Sequence, residues 1–113
     1  SLNAQSHGEA FLSLFKNKFH TSGLYILDEP EAALSPHRIL SLMVILKDLS
    51  DTGHNQFIIA THSPILMAYP YAQFLYIVDD EIIETAYEKT DHYQITRSFL
   101  EDPDRFFAYL FEK

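Results

Sequence analysis

The chain has 113 residues, of which 47% are hydrophobic, so it is able to bury one modest core and is not a disordered polymer. Sixteen acidic residues against eight basic ones give a formal net charge of −8, which disfavours nucleic-acid binding because that binding neutralises phosphates. No apolar run approaches the roughly 18 residues that a membrane helix needs. Cysteine is absent, which excludes a disulfide framework and agrees with a reducing, cytoplasmic location.

Helices and strands alternate along the chain. Apolar residues at helical spacing predict a first helix over 9–19, and Ser35 with Pro36 marks the start of another over 36–50. The other predicted elements are strands at 24–28, 56–60 and 74–78, a short helix at 64–68, an edge strand at 82–87 behind a turn at Asp79 and Asp80, and two helices behind Asp91 and Asp102. The alternation predicts the α/β class with a largely parallel sheet that contains the strands at 24–28, 56–60 and 74–78.

Two of these strands end in side chains that carry chemistry. LYIL and FIIA are short continuous apolar runs, typical of strands that are buried on both faces, and Asp28, Glu29 and His62 lie at or just beyond their ends. Ligands bind at the carboxyl edge of open α/β sheets. There, Asp28 suits Mg²⁺ held through water, Glu29 suits an attacking water, and His62 suits a phosphoryl oxygen that gains charge.

The order of the motifs resembles the C-terminal half of an ATP-binding-cassette (ABC) type ATPase domain. LYILDE at 24–29 resembles the Walker B strand with its catalytic glutamate, and IIATHSP at 58–64 resembles the switch-histidine segment. EAALSP at 31–36 resembles the D-loop, whose residues here are Ala33, Leu34 and Ser35. QSHGE at 5–9 is similar to the family signature, where Ser6 and Gly8 match and His7 and Glu9 depart.

The resemblance implies a three-layer, P-loop NTPase-like fold, of which residues 1–113 form the C-terminal part of a single nucleotide-binding domain. It implies ATP as substrate, Mg²⁺ as cofactor, Glu29 and His62 as catalytic residues and Asp28 as the metal acid. It also implies a homodimer in which the signature residues of one subunit (Ser6, His7, Gly8 and Glu9) face the nucleotide of the other. The DEPE and THSP variants resemble soluble, non-transporter ATPases of this superfamily.

The Walker A loop is the motif that the chain lacks. Its three glycines, Gly8, Gly23 and Gly53, begin no glycine-rich loop that ends in Lys-Ser or Lys-Thr. In the family that loop lies upstream, and its strand lies between those predicted here at 56–60 and 74–78. We therefore expect the chain to be a fragment, to need the N-terminal half of its own domain as a partner, and to be inactive alone.

Two other functions stay open from the residues themselves. A divalent-metal nuclease or phosphatase would use Asp28, Glu29, His62 and Asp79, although it does not account for the signature helix. A non-catalytic interaction module would keep the fold without the activity. An Asp-Glu pair taken alone also occurs as a helix-entry feature or in a solvated loop.

Overall fold

The computed structural model describes residues 10, 12–13 and 23–112. Residues 10, 12 and 13 are helical and fall within the helix predicted over 9–19, whose other residues lie outside the described part. The elements that follow are β1 (Gly23–Asp28), a 3-10 turn (Pro30–Ala33), α1 (Pro36–Thr52), β2 (Asn55–Ala60), α2 (Pro64–Met67), β3 (Leu75–Val78), β4 (Glu81–Glu84), a 3-10 turn (Tyr87–Lys89), α3 (Asp91–Glu101) and α4 (Pro103–Leu110). No helix in these ranges is long and apolar enough to cross a membrane.

The chain divides into two compact units, Ser1–Tyr71 and Ala72–Lys113. In the first unit, β1 and β2 pair in parallel, with Gly23 opposite Asn55 and Asp28 opposite Ala60. In the second unit, β3 and β4 pair antiparallel. The class is therefore mixed α/β, with a two-stranded parallel sheet in one unit and a hairpin in the other.

The prediction of three parallel strands in one sheet is wrong for the third strand. Asp79 and Asp80 both adopt positive φ, at 51° and 64°, and form a two-residue turn that pairs Val78 with Glu81. Turns of this mirror-image kind match the twist of antiparallel strands, so β3 pairs with the strand that follows it. The edge strand itself is confirmed, although it spans Glu81–Glu84 and not 82–87.

The core of the first unit lies between α1 and one face of the β1–β2 sheet. Its buried members are Ile39, Leu42, Leu46 and Leu49 of α1 and Leu66 of α2. Side chains from the sheet, Leu27, Phe57 and Ile59 among them, pack against this cluster. The residues on α1 follow helical spacing, so burial of its apolar stripe determines how the helix lies on the sheet.

The other face of the sheet is open. Leu24, Ile26 and Ile58 are 56%, 73% and 51% exposed, and both strands alternate between half-buried and exposed residues. Burial on both faces, and with it a three-layer arrangement, is thus not seen in the described residues. The physical reason is that α1, the helix between the two strands, packs on one face only, and an apolar run does not reveal where a second layer comes from.

Side-chain caps define the ends of the helices. Ser35 Oγ accepts a hydrogen bond from Arg38 N–H at 3.3 Å, which confirms Ser35 as the N-cap of α1. At the other end, Gly53 N–H and Asn55 Nδ2 both donate to the Leu49 carbonyl, at 3.2 and 3.1 Å. These bonds satisfy backbone groups that the helix itself leaves without partners.

We expect Ser35→Ala to lower the free energy of unfolding by about 1 kcal/mol, because it removes the N-cap acceptor. Ser35→Asp should keep the parental stability, since aspartate caps as well as serine. Urea unfolding followed by circular dichroism measures both, with Ser50→Ala, an exposed serine of the same helix, as the control. Equal stability of Ser35→Ala and Ser50→Ala would show that the cap contributes nothing.

Candidate functional site

The parallel pairing brings the ends of β1 and β2 to one edge of the sheet. Asp28 is opposite Ala60 in the register, and Glu29 N–H donates to the Ala60 carbonyl at 2.7 Å. This last bond lies one residue beyond β1 and holds the chain in place where the strand ends. Asp28 and Glu29 therefore lie at the same sheet edge as the segment that contains His62.

The side chains of Glu29 and His62 are in direct contact. His62 Nδ1 and Glu29 Oε1 lie 2.7 Å apart, a hydrogen-bond distance at which the N–H tautomer of Nδ1 donates to the carboxylate oxygen. The His62 side chain is 71% exposed and that of Glu29 is 48% exposed, so a ligand can reach both. The sequence placed both residues at this edge but did not predict that they contact one another.

Glu29 adopts the left-handed backbone conformation, with φ 47° and ψ 56°. This conformation costs a residue with a Cβ roughly 1–2 kcal/mol, and the residue before a proline is further restricted. Pro30 follows directly and is buried. Strained residues of this kind persist where the surrounding structure holds them and are concentrated at functional sites.

A second carboxylate holds the segment after β2. Glu31, in the 3-10 turn, accepts a hydrogen bond through Oε2 from the backbone N–H of His62 at 3.3 Å. Within that segment, Ser63 N–H donates to Thr61 Oγ1 at 3.0 Å, and Ser63 Oγ accepts from Leu66 N–H at 3.4 Å. Sequence reasoning gave Glu31 no role, although the last acid of DEPE was a signal that could have been followed.

Asp28 lies exposed at the end of β1. Among the residues that the structure describes, no group of three or more His, Asp or Glu side chains is arranged to hold a metal ion. Mg²⁺ often keeps several of its waters and binds proteins through one or two carboxylates. The exposed Asp28 carboxylate, next to Glu29, fits that mode of binding. The described side chains do not form a site that surrounds a metal ion with protein ligands alone.

The three residues that the resemblance assigned to a D-loop have separate positions. Ala33 ends the 3-10 turn and is exposed, Leu34 is extended and packs against the core cluster, and Ser35 caps α1. Two of the three thus have structural tasks in the first unit. Ser6, His7, Gly8 and Glu9, which the sequence predicted as a signature segment, lie outside the described residues.

Comparison with known families identifies the same part of the chain. A family model described as AAA domain, putative AbiEii toxin, Type IV TA system matches residues 10–68, slightly more than half of the chain. The matched range contains Asp28, Glu29, Glu31 and His62, and it indicates a nucleotide-binding, P-loop NTPase-like function. No curated protein matches the chain.

The strain at position 29 predicts a difference between two small substitutions. We expect Glu29→Gly to be more stable than Glu29→Ala by about 1 kcal/mol, because glycine adopts positive φ without a steric penalty. Both variants lose the carboxylate, so the comparison isolates the backbone. Chemical denaturation of the two variants side by side measures the difference. Glu29→Ala as stable as Glu29→Gly would mean that the left-handed conformation stores no strain.

Proposed function

The chain belongs to the AAA domain family described as putative AbiEii toxin, Type IV TA system, and from this premise we propose that it is part of an ABC-type ATPase that hydrolyses ATP. The observation that carries the proposal is the contact between Glu29 and His62 at the carboxyl edge of a parallel strand pair. A carboxylate and an imidazole in hydrogen-bond contact, both accessible, suit proton transfer and phosphate binding. Sheet edges of this kind are where α/β proteins bind nucleotides.

In this proposal Glu29 is the general base. Its carboxylate takes a proton from a water as the water oxygen attacks the γ-phosphorus, and the bond to the ADP oxygen breaks. General bases of this type accelerate reactions by roughly 10²–10⁴-fold. His62 contacts the Glu29 carboxylate through Nδ1 and donates through Nε2 to an oxygen of the γ-phosphate as negative charge develops on it, a pair of bonds that requires a proton on each ring nitrogen. The 2.7 Å hydrogen bond supports these linked roles, because it keeps the two groups at one reacting centre.

Asp28 is the residue that would hold Mg²⁺, through water. The ion supplies charge neutralisation to the phosphate oxygens when it is bound. Asp28 precedes Glu29 directly in the chain and is exposed at the end of β1, so both carboxylates are available to the same nucleotide.

The intact ATPase needs more than this chain. We propose that the N-terminal half of the domain supplies the phosphate-binding loop, and that two copies enclose the ATP with Ser6 and Gly8 of one copy facing the nucleotide of the other. The open sheet face around Ile26 supports the need for a further layer, because large apolar surfaces usually mark contacts with other structure.

Substitutions in the intact protein test the three roles. Glu29→Gln keeps the size of the side chain but removes the base, so we expect ATP binding to be retained and kcat to fall by roughly 10²-fold or more. Asp28→Asn should weaken Mg²⁺-dependent ATP binding, and His62→Ala should slow hydrolysis with a smaller effect on affinity. Steady-state ATPase assays beside nucleotide titrations measure both quantities. Glu88→Gln, an exposed glutamate of the second unit, is the control.

Hydrolysis by Glu29→Gln at the parental rate would show that Glu29 is not the base. Assays of the same proteins with a nucleic acid and with a phosphate monoester separate the ATPase from a metal nuclease or phosphatase. Cleavage of either substrate, with no turnover of ATP, would favour that alternative.

The 113-residue chain alone should bind Mg-ATP weakly or not at all, and should not hydrolyse it. The reason is that its sequence contains no Walker A loop, whose backbone amides and lysine hold the β- and γ-phosphates in P-loop NTPases. Isothermal titration calorimetry of the chain with Mg-ATP measures this directly. Micromolar affinity would contradict the proposal that a separate segment supplies the phosphate-binding loop.

A further inference from the structure

His62 is held at two separate points by two different carboxylates. Glu29 binds its ring at Nδ1, and Glu31 binds its backbone N–H through Oε2. A hydrogen bond to the ring alone leaves the His62 backbone able to shift. A second bond, to the backbone amide, also fixes the position of the main chain from which the side chain extends. Both acceptors come from the short segment that follows β1, so they anchor the segment after β2 to the end of the neighbouring strand.

Glu31 is itself well placed for this task. It lies in the 3-10 turn that starts with the buried Pro30, whose ring restricts the backbone. The turn is further closed by Ala32 N–H and Leu34 N–H, which donate to the Glu29 and Glu31 carbonyls at 3.1 and 2.9 Å. The carboxylate therefore extends from a rigid support towards His62.

The other oxygen of Glu31 argues against a purely stabilising role. Glu31 Oε1 is buried and has no hydrogen-bond partner among the described residues. A buried polar atom without a partner destabilises the fold, and an apolar side chain of similar size avoids that cost. Oε1 adds no hydrogen bond among the described residues, so the bond from the His62 amide to Oε2 is the contact that accounts for a glutamate here.

We propose that Glu31 is a positioning residue, which holds the backbone of His62 so that the imidazole stays against Glu29. This role rests on the proposed ATPase function for its purpose, but the tether itself is a property of the folded chain. Glu31 does not contact the reacting atoms in this scheme, and it acts on catalysis only through His62.

Nuclear magnetic resonance of the 113-residue chain tests the tether without nucleotide. In Glu31→Ala we expect the His62 backbone amide to exchange with solvent about tenfold faster or more, since a bond to a charged acceptor is lost. The His62 Nδ1 resonance should also change its chemical shift, because the imidazole is no longer kept against Glu29. Glu31→Gln keeps an oxygen acceptor and should restore both readouts. Asp48→Ala, which removes an exposed acid from α1, is the matched control.

The amide of Leu46, inside α1, reports whether the fold as a whole has changed. Faster exchange at His62 with unchanged exchange at Leu46 supports the proposal. Unchanged exchange and an unchanged Nδ1 shift at His62 in Glu31→Ala overturn it. Should Glu31→Ala fail to fold, Glu31→Met fills the same space without an acceptor, and the same two results decide the matter.

An activity assay of the intact ATPase extends the test. We expect Glu31→Ala to lower kcat about tenfold or more with KM for ATP unchanged within about twofold, and Glu31→Gln to recover most of the rate. An intact protein without ATPase activity would refute the proposed function and leave the resonance test of the tether valid. Parental kcat in Glu31→Ala, in an active enzyme, would refute the positioning role alone.

Discussion

The parallel pairing of β1 with β2 is the constraint on which the site depends. Because residue 28 is opposite residue 60, the chain leaves both strands at the same edge and at the same height. The backbone bond from Glu29 N–H to the Ala60 carbonyl continues the ladder past the end of β1. A shift of the register by one residue would turn each side chain of the strand to the other face and separate Glu29 from His62.

Burial of the α1 stripe maintains that register. Leu42 and Leu46 belong to the buried cluster against which Leu27 and Phe57 of the sheet pack, so helix and strands are fixed by the same apolar contacts. The polar side chains at the sheet edge are therefore held in place by a core that consists of apolar side chains. The strained backbone of Glu29 can persist there because its neighbours on both sides, β1 and the buried Pro30, are held in place.

The sequence predicted local structure well and long-range pairing less well. Ser35 and Asp102 marked their helices because capping depends on a residue and its near neighbours. The expectation that β3 belongs to the same sheet as β1 and β2 is not met in the described residues, because an apolar run carries no information on which strand lies beside it. The sequence did predict that Asp28 and Glu29 lie near His62, because the carboxyl ends of parallel strands meet at one edge of a sheet. The contact itself depends on the left-handed backbone of Glu29, which no composition rule predicts for a glutamate.

The open face of the β1–β2 sheet has a consequence for the amount of the protein in a cell. Three large aliphatic side chains, Leu24, Ile26 and Ile58, remain exposed on it. Chaperones and proteases continuously act on the unfolded fraction of a protein, so a stability difference of about 1–2 kcal/mol changes steady-state abundance several-fold. We therefore expect the cellular amount of this chain to rise and fall with the amount of the structure that covers this sheet face. Chains made in excess of that structure would keep the apolar face exposed, and we expect them to be degraded or to aggregate.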